Sequence, residues 1–132
     1  MKLKFEVFPH LLQFKVEAGT SRGTFKQRAI WIIKAYRDSD TSCFGIGEAS
    51  PLKGLSIDYS EDYGLKLIAV LDSLEGLEFP GNQSDLLYFI SNNTPIEMPS
   101  LRFGVETALL DLMNGGKKEV FSSPFSRGIS SI

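Results

Sequence analysis

A reaction centre needs a nucleophile, a base, a metal cage or a phosphate cradle, and each leaves its own spacing in a sequence. Gly45-Ile46-Gly47-Glu48-Ala49-Ser50 nearly matches a dinucleotide-binding fingerprint. Ser50 stands where the third glycine belongs and Pro51 follows. No helix opens there, so a phosphate would find no helix N-terminus. The plain reading is a strand that runs out into a loop. His10 is the single histidine and Cys43 the single cysteine. No nucleophile elbow or cysteine motif accompanies either. His10 beside Pro9 reads as a surface or kink residue. Cys43, at the head of an apolar strand, reads as a small buried side chain. One cysteine gives no internal disulfide and no metal cage.

The carboxylates are scattered. Glu106 and Asp111 lie five apart on one helical segment, which puts them on different faces and makes no acid–base pair. Asp38 and Asp40 belong to a turn, where aspartate favours the backbone geometry. Neither pair supplies the oxygen ligands a magnesium or calcium site wants, and no calcium-loop pattern occurs. Glu48 follows a strand and faces a loop, where a hydrogen bond to a loop amide is its expected role. Arg22 and Lys53 each sit in a glycine-containing loop. Loops held by a rigid sheet concentrate binding residues, and an arginine there could grip a carboxylate in a forked pair. Chemistry alone favours plain solvated charge for both.

The elements that would position these residues divide the chain in two. Leu3, Phe5 and Val7 alternate with Lys2, Lys4 and Glu6, the period of a strand. The alternation resumes on the other parity at Leu12, Phe14 and Val16, which implies a bulge or kink at Phe8-Pro9-His10. Ala18 to Gly23 reads as a mobile loop. A second strand is expected from about Phe25 to Arg37, and its two-sided apolar run Ala29-Ile30-Trp31-Ile32-Ile33 makes it central. Asp38 to Thr41 is a turn, Cys43 to Ala49 a third strand, and Ser50 to Ser56 a second loop. Short connections imply an antiparallel three-stranded meander.

Helices follow. Asp58 with Glu61 three positions on resembles a capping box, and Leu65, Ile68, Ala69 and Leu71 carry a helical pattern to about Leu74. Asp85 to Ser91 is a short second helix. Ser100 is placed to cap the third, whose stripe is Leu101, Val105, Ala108, Leu109 and Leu112, stopped by Gly115-Gly116. The last dozen residues, from Phe121, are rich in serine and linker-like. Strands first and helices afterwards define an α+β domain.

The 132 residues fit one domain, long enough to bury roughly two thirds of its unfolded surface. Apolar residues at 42% and charged at 23% are those of an ordinary globular protein. A formal charge of −2 without a basic stripe argues against nucleic-acid binding. The N-terminus lacks the apolar stretch of a signal peptide, and no run is long enough to span a membrane. With one cysteine, the expectation is a cytoplasmic protein.

Two segments carry a resemblance. Phe44-Gly45-Ile46-Gly47-Glu48-Ala49-Ser50-Pro51-Leu52 and Pro99-Ser100-Leu101-Arg102-Phe103-Gly104-Val105-Glu106-Thr107-Ala108-Leu109-Leu110-Asp111-Leu112, in this order and spacing, resemble the N-terminal capping domain of the enolase superfamily. Within it they look most like the muconate-lactonizing subgroup, and there the o-succinylbenzoate synthases of menaquinone biosynthesis. The resemblance implies a three-stranded sheet followed by helices, with residues 1–120 as the cap and 121–132 as a linker toward a (β/α)7β barrel. It implies that lysines and magnesium in that barrel perform the dehydration through an enediolate. It also implies two loops that close over a carboxylate substrate: Gly19, Thr20, Ser21, Arg22 and Gly23, then Ser50, Pro51, Leu52, Lys53, Gly54, Leu55 and Ser56.

The barrel's lysines and metal ligands have no counterpart in this sequence, which ends near where the first barrel strand is expected. No catalytic residue and no cofactor are therefore expected in these 132 residues, and they should be inactive alone. The expected partner is the chain's own barrel, and a cap without it could self-associate through the exposed barrel-facing surface. The same cap would also suit a dipeptide epimerase or a muconate cycloisomerase, and a free-standing interaction module is the remaining alternative.

Overall fold

The computed structural model describes residues 2–20 and 23–116, with side chains outside 12–28. Three strands are followed by three helices: β1 (Leu3–Thr20), β2 (Gly23–Arg37), β3 (Asp40–Ala49), α1 (Tyr63–Leu74), α2 (Gln83–Asn93) and α3 (Pro99–Met113). The strands pair antiparallel in the order β1-β2-β3, so the apolar run of β2 is central as its two-sided pattern implied. Leu3, Phe5, Ile33, Ala35 and Ala49 of the sheet form one core with Leu67 and Leu71 of α1, Leu86 and Ile90 of α2, and the α3 stripe. Leu101, Val105, Ala108, Leu109 and Leu112 are all fully buried, each apart from the small Ala108 worth about 1.5–3 kcal/mol of transfer from water. Gly115 and Gly116 end α3 with φ of 84° and 71°.

Glycine decides how closely α3 approaches the sheet. A methyl group at Gly45 would strike the backbone of Ala108 and Leu112, and one at Gly47 would strike the carbonyl of Gly104. Gly104 in turn lies against the backbone of Glu48 and Ala49. The two glycines of the near-fingerprint therefore seat a helix axis on a strand. They cradle no phosphate.

Several expectations are corrected. Pairing runs unbroken through Phe8↔Ile32, Pro9↔Trp31 and His10↔Ile30, and the register shift falls between Gln13 and Ala18. Leu3 and Phe5 donate their N–H groups away from β2, to Leu77 O and Glu75 Oε1. Pro9 shares their parity, so its missing N–H costs the ladder nothing. The segment expected as a loop from Ala18 to Gly23 is mostly strand. Gly19 pairs with Thr24 and Thr20 with Gly23, because hairpin pairing resumes beyond the bulge; Ser21 and Arg22 lie outside the described residues.

On α1 the buried positions are Tyr63, Leu67, Leu71 and Leu74. The expected Leu65 is 73% exposed and Ile68 46%. Several apolar residues share this helix, and contact with β1 selects the 63-67-71-74 stripe. Asp58 caps no part of α1, which begins at Tyr63 behind Asp62. Ser100 lies inside α3, whose cap position is Met98. Cys43 is only half-buried, packed at the margin of the core, because β3 starts beyond the cover of the helices. His10 is exposed. The linker-like residues 121–132 lie outside the described residues.

Replacing Gly47 with alanine should force α3 off the sheet and lower stability by about 1–3 kcal/mol, as overpacking does. Gly81, where an added methyl meets nothing within 4 Å, is the control. Urea midpoints should fall for Gly47→Ala and hold for Gly81→Ala.

Candidate functional site

The second motif meets the first at the C-terminal end of β3. Glu48, Ser50, Pro99, Ser100 and Phe103 line an open cleft of about 500 Å³. Strand β3 supplies Glu48 as the chain leaves the sheet, and the first turns of α3 supply the other wall. Phe103 is 66% exposed, an apolar ring left on the solvent side of α3 because Gly104 and Val105 take the sheet side. Glu48 does not meet a loop amide as expected. Its Oε1 accepts from the Ser50 hydroxyl at 2.6 Å, a nearer donor two residues along the extended chain.

The end of α3 at this cleft is held from outside the helix. Asp58 is buried, and its Oδ2 accepts from the N–H groups of Ser100 at 2.8 Å and Leu101 at 3.3 Å. A carboxylate here satisfies first-turn donors and meets the positive end of the helix dipole. Asp58 thus binds the end of the loop at 50–57 to α3. Close by, Tyr63 is fully buried and packs on Trp31 with ring centroids 4.9 Å apart and the ring planes tilted by 47°. Its hydroxyl and Asp58 Oδ1 are buried without a hydrogen-bond partner among the described residues. Burial, and secondarily the Asp58 carboxylate, push the Tyr63 phenol well above its ordinary range.

Arg102 and Asp111 of the second motif tie neighbouring elements together. Arg102 donates to Thr94 Oγ1 and Thr94 O, both at 3.0 Å, and to Ser91 O at 3.3 Å, closing the carbonyl end of α2. Asp111 Oδ2 accepts from Ile46 N–H at 2.9 Å, which ties α3 to the outer edge of β3. Sequence reasoning placed Asp111 on its own face of the helix but missed this bond, whose partner lies 65 residues away.

Of the described residues in the second expected loop, Ser50 lines the cleft. Pro51 is buried, while Lys53, Gly54 and Leu55 are exposed. Lys53 Nζ lies 3.7 Å from Glu61 Oε1 with both side chains in solvent, a pair worth little. Gly19, Thr20 and Gly23 belong to the β1–β2 hairpin. Among the described residues, no three of His, Cys, Asp and Glu come together to hold a metal ion, and no helix is long and apolar enough to cross a membrane.

This architecture, with a glycine-seated α3 and a loop beside its N-terminus, is that of an N-terminal cap of the enolase superfamily. Its likeness is to o-succinylbenzoate synthase. The curated synthase of Desulfotalea psychrophila is 33% identical over 138 residues, spanning 89% of this chain but 37% of the relative. The crystal structure of MenC from Desulfotalea psychrophila superposes with a TM-score of 0.69 at 25% identity, over 98% of this chain and 40% of that one. The L-Ala-D/L-Glu epimerase of Bacillus subtilis shares the fold, with a TM-score of 0.66, 24% identity, and coverage of 84% and 30%. The chain thus spans well under half the length of these proteins. No protein-family model matches it.

Asp58→Ala should cost about 0.5–2 kcal/mol, as the loss of a helix cap does. Tyr63→Phe, which removes a buried unpartnered hydroxyl, should be neutral or stabilising. The raised phenol favours the folded state below the ordinary tyrosine value of 10.0. Above it the unfolded chain ionises first, so stability is lost as pH rises. Denaturant titrations from pH 8 to 11 should show that loss, and Tyr63→Phe should reduce it.

Proposed function

We propose that this chain is the substrate-closing, specificity-setting cap of a magnesium-dependent o-succinylbenzoate synthase. Residues 1–120 are the cap and 121–132 lead toward a barrel. The observation that carries this reading is the meeting of the two motif segments in one cleft, in a chain 33% identical to a known synthase. In this arrangement the cap performs no bond-making step. Its part is to position the residues 50–56 and 19–23 over the open end of a barrel, exclude water and select the carboxylate substrate. Magnesium, when bound, stabilises the enediolate formed in the dehydration. The described residues do not fit that ion, which belongs with the barrel.

A second reading keeps the cap and changes the reaction. The likeness to a dipeptide epimerase favours it, since a cap of one fold can serve barrels with different chemistry. The identity to the synthase is the higher of the two, and it supports dehydration.

The chain alone should give no turnover of the synthase's cyclohexadiene carboxylate substrate. Joined in frame to the barrel of the Desulfotalea synthase in place of the native cap, it should restore magnesium-dependent dehydration well above that of the capless barrel. A folded fusion no faster than the capless barrel would sink the proposal. Turnover by the chain alone would do the same.

A further inference from the structure

The resemblance implies that residues 50–56 move as a closing loop. The hydrogen bonds within that segment point elsewhere. Leu52 N–H donates to Ser56 Oγ at 2.7 Å. Leu52 C=O accepts from Leu55 N–H at 3.0 Å and from Ser56 N–H at 2.8 Å. Both backbone groups of Leu52 are thus spent inside its own turn, and the Ser56 hydroxyl closes it into a ring. Gly54 supplies the positive φ of 81° that the turn requires.

Both flanks are anchored as well. Pro51 is buried on one side. On the other, Tyr59 N–H donates to Ser56 O at 3.3 Å, and Asp58 is pinned to the first turn of α3. A lid that travels needs hinge residues free to absorb large backbone rotations. Here Pro51 is buried on one side and Asp58 bonded on the other, which leaves the exposed Ile57 as the single unanchored residue between Ser56 and Asp58.

We infer that residues 50–58 form a preformed wall rather than a moving lid, locked by the Ser56 hydroxyl across Leu52 and pinned at Asp58. Ser56 is a positioning residue: through the turn it fixes where Lys53 and Leu55 stand. Any closing motion then belongs to the other loop or to the cap as a body. This deepens the reading of residues 50–56 as a substrate-flanking segment. It is tested without substrate or barrel, so its failure leaves the proposed reaction untouched.

The experiment is ¹⁵N relaxation with amide exchange on the full chain. Order parameters at Leu52, Leu55 and Ser56 should reach the rigid-backbone value of about 0.85, and the three amides should be protected from exchange. Ser56→Ala should lower the order parameters across residues 52–56 and speed exchange at Leu52, with the urea midpoint unchanged. Ser56→Thr, which keeps the hydroxyl, should restore both. Wild-type values below about 0.6, the flexible range, would overturn the wall. A Ser56→Ala profile identical to wild type would overturn the lock.

Discussion

The contact that the rest of the molecule depends on is α3 laid directly on β3. Gly45, Gly47 and Gly104 bring the two backbones together with no side chain between them. That closeness sets everything around it. It fixes the depth at which Leu101, Val105, Ala108 and Leu109 enter the core. It brings the Asp111 carboxylate within 2.9 Å of the outward N–H of Ile46. It also brings the first turns of α3 beside the end of β3, so that Glu48, Ser50 and Phe103 share one cleft. The glycines weaken a strand taken alone. Here the buried stripe of α3 offsets that weakness.

Polar bonds of long sequence range then hold the arrangement in register. Asp58 reaches α3 across 42 residues and Glu75 reaches β1 across 70. Glu75 and Asp111 each place a carboxylate on an outward strand amide, one on each edge of the sheet. A free strand edge is a template for pairing with another chain. Pro9, at an outward position of β1, removes a further donor from that edge. The sheet is therefore closed at several points against edge pairing, while large apolar side chains stay exposed both on β1, at Phe8 and Leu11, and on the helices and loop, at Phe103 and Ile57.

Much of the architecture was legible because it rests on local periodicity. Alternation marked β1, the two-sided apolar run marked the centre of the sheet, and the 101-105-108-109-112 stripe marked α3. Loss of legibility tracks the distance between partners. Gly45-Ile46-Gly47 reads as a phosphate motif or a loop entrance until the helix across from it is known. Asp58 looks like a cap for the next helix along the chain, and it caps the one 42 residues on. On α1, Leu65 and Leu67 are equally apolar in sequence, and only the packing chooses Leu67. The cleft was half legible. The two motif segments were singled out, and the loop after β3 was placed correctly. Phe103 could have been noticed as a large apolar residue off the buried stripe of α3.

The carboxylates described above are spent on holding the chain together. A general base must stand free within reach of the proton it removes. Asp58 is committed to two helix amides, Asp111 to a strand amide, Glu75 to another, and Glu48 to the Ser50 hydroxyl. Each holds two distant or neighbouring pieces of chain in place. The two Asp58 bonds also fix the wall of the cleft, because they hold the first turn of α3. The same economy applies to the loop. A turn whose first residue spends both backbone groups internally keeps its shape without help from a ligand, and a preformed wall lets binding proceed without the entropy cost of ordering it.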